Sequence, residues 1–143
     1  MNEMSIRSYQ SADRDAVVTL WQRCKLVAPQ NDPLKDIRRK LQVNPEWLLV
    51  GEKNGRLVAT CMAGYEGHRG WINYLAVDPE YRRRGIGRQL MRAAETQLRA
   101  AGCPKINLQV RTSNQTALGF YQAIGFTVDD VISLGKRLES DRP

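Results

Sequence analysis

Residues 75–102 read Leu75-Ala76-Val77-Asp78-Pro79-Glu80-Tyr81-Arg82-Arg83-Arg84-Gly85-Ile86-Gly87, continuing RQLMRAAETQLRAAG to Gly102. An apolar run leaves a sheet, breaks at Asp78-Pro79, and feeds a helix over Gly85–Ala101. That helix carries Ile86, Leu90, Ala94 and Leu98 at steps of four, with Met91 beside them. Gly102 suits the left-handed position just past a helix, and Pro104 follows, so the stop is well marked. A helix N-terminus presents unpaired amides and a partial positive charge. Two glycines at that point, Gly85 and Gly87, remove side chains where an anion must approach, and Arg82, Arg83, Arg84 and Arg88 strengthen the field. The segment therefore reads as a phosphate cradle. It is not a Walker loop, since no Gly-Lys-Ser/Thr follows, and Leu90 replaces the third glycine of a dinucleotide fingerprint.

Working outward, Ile6–Tyr9 reads as a first strand. Ser11 or Asp13 caps a helix to about Leu26 with Val17, Leu20, Trp21 and Cys24 on one face. Asp32 caps a second helix with Pro33 at its first position. There Lys35, Arg38, Arg39 and Lys40 form the solvated face. Trp47–Lys53 and Arg56–Tyr65 are strands joined by Asn54-Gly55, the strongest short hairpin signal. Glu66–Gly70 is a turn and Trp71–Val77 a strand. Lys105–Val110 alternates as a strand, and Ser113 or Asn114 opens a helix ending near Ile124 and Gly125. Val131–Leu138 is expected to be a final strand. The order gives an α+β fold with a mixed sheet, in which the helical crossover from Trp71–Val77 to Lys105–Val110 makes those strands parallel.

The chain has 143 residues, one ordinary domain over 1–143, with 42% hydrophobic and 26% charged residues. No apolar run is long enough to span a membrane, and Met1–Ser5 lacks the features of a signal peptide. Cys24, Cys61 and Cys103 are odd in number and widely spaced. They suggest neither a disulfide framework nor a metal site, and point to the cytoplasm. The net charge is +7. A nucleic-acid partner would need aromatics interleaved among the basic residues, and only Tyr81 sits beside the arginines, so none is expected.

Arg82-x-x-Gly85-x-Gly87 resembles the Gln/Arg-x-x-Gly-x-Gly/Ala signature of the GNAT superfamily of N-acetyltransferases. Leu75-x-Val77-x-Pro79 is similar to that family's fourth strand, and Asn114–Phe126 (NQTALGFYQAIGF) to its second motif. The element order resembles it from Ile6 to Leu138. The stretches GYEGHRG, GCPKI and SLGKRL further resemble the bacterial YpeA-type acetyltransferases. The resemblance implies a mostly antiparallel sheet with flanking helices, whose parallel fourth and fifth strands splay apart. It implies that acetyl-CoA is the acetyl donor and a primary amine the acceptor. The pantetheine arm would lie against Leu75, Ala76 and Val77, and the pyrophosphate on Arg82, Arg83, Arg84, Gly85, Ile86, Gly87 and Arg88. Asn114 would contact the pantetheine or adenosine end, and Tyr121 would act as general acid.

No carboxylate stands on the strands where some family members carry a base; Asn73, Tyr74 and Gln109 occupy them. Glu66 and His68, in the preceding turn, are the candidate bases, alongside a water relay or an acceptor that is already neutral. Asn31, Asp32 and Asp36 are the polar residues expected around the acceptor. The oligomeric state is expected to be monomer or homodimer. A non-catalytic acyl-CoA-binding module is the alternative reading.

Overall fold

The computed structural model describes residues 3–142. Five strands form one sheet in sequence order: β1 (Ser5–Ser8), β2 (Leu48–Lys53), β3 (Arg56–Tyr65), β4 (Gly70–Val77) and β5 (Ile106–Leu108). The first four pair antiparallel, and β5 pairs parallel to β4. The β2–β3 hairpin turns on Asn54 (φ 54°) and Gly55 (φ 75°), the two left-handed residues that match the twist of the flanking strands.

Two apolar layers sandwich the sheet. On one side α3 (Ile86–Ala100) buries Ile86, Leu90, Met91, Ala94 and Leu98 against Leu49, Val58, Ala59, Cys61 and Ile72. These are the residues that the helical period selects. On the other side α1 (Arg14–Arg23) and α2 (Pro33–Lys40) pack Val17, Leu20, Trp21 and Ile37 on Val50 and Ala76. The short α4 (Gln115–Ala123) joins the first layer through the half-buried Phe120, Tyr121 and Ile124. The Asp32 carboxylate accepts from the amides of Leu34 (2.9 Å) and Lys35 (3.4 Å), capping α2.

Three expectations need correction. Helix α1 ends at Arg23, three residues early. Lys25 takes φ 59°, and the Leu26 amide turns back to the Trp21 carbonyl at 2.9 Å. This is a helix stop that normally uses glycine. The basic face of α2 is not wholly solvated. Lys40 is only 8% exposed, and its ammonium donates to the Ala63 carbonyl at 2.5 Å. Desolvation lowers its pKa below the usual lysine range. Finally, Val131–Leu138 forms no strand. β5 is reduced to three residues, a cavity separates it from the tail, and no described backbone hydrogen bond joins them.

The register of β4 is broken once. Ala76 faces Thr60 and Asn73 faces Met62, so Tyr74 and Leu75 together oppose Cys61. This is a bulge, with Tyr74 at φ 51°. A bulge leaves backbone groups without ladder partners, and here side chains replace them. The Thr60 hydroxyl donates to the Tyr74 carbonyl (2.9 Å) and accepts from the Trp21 indole N–H (2.9 Å). The Tyr74 ring stacks on Trp21 at 3.7 Å and 12°. Its hydroxyl donates to Asp36 (2.6 Å) and accepts from Asn31 (2.9 Å). Thr60 is fully buried, so Thr60→Val leaves an indole donor and a carbonyl unpaired. The expected loss is about 2–4 kcal/mol, read by urea denaturation, while Thr60→Ser keeps most of the stability. An unaltered midpoint in Thr60→Val would show that the hydroxyl does not hold the bulge.

Candidate active site

The β4–β5 ladder has three residue pairs, Gly70–Ile106, Trp71–Asn107 and Ile72–Leu108, and stops there. β4 continues through the bulge to Val77. Parallel strands that pair at one end and separate at the other enclose a wedge, and the free edge of β4 offers backbone donors and acceptors along it. Leu75 and Val77 are half-buried and Ala76 is buried. Their side chains belong to the two layers. Ala76 pairs with Thr60 of β3, so the backbone of Leu75 and Val77 is what remains for the wedge, with the Val77 carbonyl accepting from Arg82 Nε and Cys24 Sγ at 3.3 Å each.

At the open end of the wedge the chain turns on Asp78. Its carboxylate is 2% exposed. It accepts from the Glu80 amide (2.9 Å), from Arg23 (2.7 Å) and from Arg56 (3.2 Å). One buried group thus fixes the exit from β4, the following turn, α1 and the start of β3. The sequence marks Asp78 only as half of a strand-ending Asp-Pro pair, because its arginine partners lie 55 and 22 residues away.

Beyond it, Arg83 (φ 65°) and Gly85 (φ 77°) adopt left-handed conformations that lead into α3. Among the described hydrogen bonds, the amides from Arg83 to Arg88 donate to no protein acceptor. No acidic residue occupies the first turn of α3. A positive helix terminus with free amides and exposed arginines fits a diphosphate.

The arginines differ in use. Arg82 Nε donates to the Val77 carbonyl at 3.3 Å, and the Arg84 guanidinium lies 5.0 Å from the centre of the Tyr81 ring. Arg83 and Arg88 are exposed and make no described ion pair.

The two glycines also differ, which corrects the reading of both as clearances for an anion. A Cβ at Gly85 would meet nothing within 4 Å, so that position stands open. A Cβ at Gly87 would lie 3.1 Å from Phe120 Cζ and 3.7 Å from Val77 Cγ2. Gly87 lets α3 and α4 approach each other beside the end of β4.

Tyr121 reaches from α4 toward the wedge. It is half-buried, edge-on to Phe120 (5.2 Å) and Phe126 (5.7 Å). Burial, with a smaller contribution from the nearby Cys61, pushes its phenol up to about 12. No described hydrogen bond uses its hydroxyl. It lines a cavity of 1340 Å³ together with Trp71, Asn73, Leu108 and Gln109. Asn114 caps α4 by accepting from the Ala117 amide at 3.1 Å.

Glu66 and His68 lie elsewhere. Both are exposed in the β3–β4 turn, past Gly70 at the closed end of the wedge. At about 3.3 Å per residue, roughly 13 Å of strand separates Gly70 from the bulge at Tyr74. The Glu66 carboxylate accepts from the amides of Arg69 and His68, which hold it below the usual glutamate range. His68 Nδ1 faces Arg69 Nη1 at 3.4 Å. The two residues shape a turn, and the structure does not bring them to Tyr121.

A model of the acetyltransferase (GNAT) family matches residues 14–126. An acetyltransferase of Pectobacterium atrosepticum is 48% identical over 139 residues, covering 97% of this chain and 99% of that one. An acetyltransferase of Yersinia pestis is 46% identical with the same coverage. Among solved structures, the aminoglycoside N-acetyltransferase AAC(6')-Iy in complex with CoA superposes with a TM-score of 0.77. It is 19% identical, with 96% of this chain and 97% of that one covered. The ribosomal-protein-S18-alanine N-acetyltransferase of Escherichia coli gives a TM-score of 0.73 at 24% identity, over 87% of this chain and 78% of that one.

The two glycines can be separated by experiment. Gly87→Ala is expected to destabilise the fold by about 1–2 kcal/mol through the Phe120 clash, and Phe120→Leu in the same chain should recover most of it. Gly85→Ala, with open space around it, should cost only about 1 kcal/mol of backbone strain, and Phe120→Leu should not relieve it. Thermal melts of the four variants check both statements.

Proposed function

The chain belongs to the acetyltransferase (GNAT) family and is an acyltransferase, and from that premise we propose that it moves acetyl from acetyl-CoA directly onto a primary amine. The observation that carries this reading is the continuity of the free β4 edge with the unpaired amides of Arg83–Arg88 at the head of α3. One surface thus offers a strand-like partner for the amide-bearing pantetheine arm, and then a positive terminus for the diphosphate.

Acetyl-CoA supplies a thioester whose carbonyl is open to attack by an amine. The residues of this chain bind and position it and manage protons. Leu75 and Val77, with Ala76 between them, meet the arm through their backbone. Arg82 to Arg88 hold the pyrophosphate, with Gly85 leaving space for it. Asn114, at the head of α4, faces the same coenzyme while capping its helix.

In the transfer the amine nitrogen forms a bond to the carbonyl carbon and the carbon–sulfur bond breaks. The departing thiolate takes a proton, and Tyr121 gives it from a phenol that burial keeps protonated. The nitrogen loses its proton to water. Glu66 and His68 have no part in this scheme, because their place in the turn keeps them from the bulge. The acceptor lies on the α1–α2 side, near Asn31 and Asp36.

Two outcomes test this reading. Acetyl-CoA at about a hundred times its Kd should add roughly 2.7 kcal/mol of stability, an upward shift of roughly 8 °C in Tm, and free CoA should act similarly. Gly85→Glu, which sets a carboxylate in the cradle, should abolish the shift while the melt stays cooperative. A shift that survives in Gly85→Glu would remove the cradle from the argument.

Tyr121→Phe should lower kcat at least tenfold with little change in acetyl-CoA affinity. With the phenol raised to about 12, the acid form is present below that pH and is lost only as pH rises through it. Tyr121 therefore imposes no alkaline fall in kcat below about pH 11. The rise of kcat/KM with pH should follow the acceptor instead, levelling near about 8 for an α-amine and near about 10.4 for a lysine. An alkaline limb near pH 9 that disappears in Tyr121→Phe would contradict the assignment.

A further inference from the structure

Asp141 is a buried carboxylate in an otherwise exposed stretch. Its neighbours Glu139, Ser140 and Arg142 lie open to solvent, while its own side chain is 1% exposed. A charge that leaves water needs partners that compensate it. Asp141 Oδ2 accepts from the Asp32 amide at 3.0 Å and from Arg39 Nη1 at 3.2 Å, and Oδ1 accepts from Arg39 Nη2 at 2.7 Å. The guanidinium is thus held as a two-pronged fork, the strong form of this pair. Arg39, and then the Asp32 amide, hold the carboxyl below the usual aspartate range, so it is charged at neutral pH. Asp141 grips α2 at two places, its cap and its last turn.

Both places lead to Tyr74. Arg39 Nη1 also donates to Asp36 Oδ1 at 3.1 Å, and Asp36 Oδ2 accepts from the Tyr74 hydroxyl at 2.6 Å. Asn31, which precedes the gripped amide, donates to the same hydroxyl at 2.9 Å. Tyr74 is the left-handed residue of the β4 bulge. Arg39 therefore stands between two carboxylates with one fork. Asp141 takes both prongs and Asp36 receives one N–H, which leaves Asp36 Oδ2 for the phenol. The other acid near Arg39, Glu139, lies at 3.7 Å with its side chain 73% exposed, and an exposed pair of that kind is weak. Without the Asp141 charge the arginine closes on Asp36 with both prongs and draws off the oxygen that holds Tyr74.

We propose that Asp141 is a positioning residue for acetyl transfer: through Arg39 and Asp36 it holds the Tyr74 bulge, and with it the opening of the β4–β5 wedge. The link from Asp141 to the bulge stands on the hydrogen bonds alone, and its effect on the coenzyme rests on the acetyl-CoA reading above.

Fluorine NMR and calorimetry test the two halves separately. In a chain labelled with fluorotyrosine, the resonance that disappears in Tyr74→Phe reports that ring. It should shift in Asp141→Asn and stay in place in Glu139→Gln, which removes an equal charge from beside Arg39. Asp141→Asn should weaken acetyl-CoA binding roughly three- to thirtyfold, the size of coupling carried through contact networks, while the melt stays cooperative. Glu139→Gln should leave the affinity unchanged. In the Tyr74→Phe background Asp141→Asn should cost no further affinity, since the route is already cut. Arg39→Lys, whose ammonium has no fork to share, should reproduce both effects, and it carries the test if Asp141→Asn does not fold. A Tyr74 resonance that stays in place in the folded variants, an unchanged affinity in Asp141→Asn, or an equal loss with and without the Tyr74 hydroxyl would each overturn the proposal. An unaltered chain that binds no acetyl-CoA would end the acetyl-transfer reading instead, and the fluorine shift alone would then decide whether Asp141 holds the bulge.

Discussion

One irregularity organises this molecule, the bulge at Tyr74 that its neighbours compel β4 to keep. A non-glycine residue at φ 51° is unfavourable on its own. The surrounding contacts offset that cost. Thr60 supplies the hydrogen bond that the ladder withholds from the Tyr74 carbonyl, Trp21 fixes Thr60 and stacks on the Tyr74 ring, and Asn31 and Asp36 hold its hydroxyl. Bulges bend a strand and increase its twist. β4 therefore diverges from β5 just past Ile72, and the residues after the bulge keep a free edge. Without the bulge a straight β4 would have continued the parallel ladder and closed the wedge.

The second constraint is electrostatic. Asp78 brings Arg23 and Arg56 to the exit of β4, and Asp78 and Glu80 together balance their charge. The arginines after it, Arg83 and Arg88, stay exposed beside amides that no protein group accepts from. A short stretch thus contains a buried carboxylate that is fully committed and a cationic terminus that is not. The first gives the turn its shape, and the second leaves it open to a phosphate. Gly87 belongs to the shape as well, since its missing side chain is filled by Phe120, whose neighbour Tyr121 is thereby set against Cys61.

What could be read from the sequence follows the range of the interactions. The α+β order, the hairpin at Asn54-Gly55, the buried stripe of α3 and the Asp32 cap were legible because each depends on residues within a few positions. The left-handed turn at Gly85 that leads into α3, with exposed arginines around it, was legible for the same reason, since those residues are contiguous. The end of α1 was not, because Lys25 takes a conformation that its side chain does not announce. Asp78 looked like punctuation, because its partners come from two other elements. Lys40 looked solvated because helical spacing does not reveal the Ala63 carbonyl above it. Val131–Leu138 carries the alternation of a strand, yet pattern alone does not supply a partner edge. Glu66 and His68 were drawn into the candidate site by chemistry type, although their turn lies at the wrong end of β4.

The two sides of the wedge are built on different principles, and this explains why the donor was easier to infer than the acceptor. In the proposed reading donor recognition rests on backbone, at a bulge, a free edge and a helix terminus, and backbone geometry leaves a signature in glycine and proline placement. On the α1–α2 side the polar groups are already engaged with one another. Asp36 accepts from Tyr74 and Arg39, and Arg39 is shared with Asp141. Asn31 donates to Tyr74, and the Asp32 amide donates to Asp141. Pairs 38 to 109 residues apart in the chain hold that face rigid. In the proposed reading an acceptor amine would meet there carboxylates that are already engaged, Asp36 and Asp141 both on Arg39, so the shape that the network fixes would weigh more in its choice than any single free carboxylate.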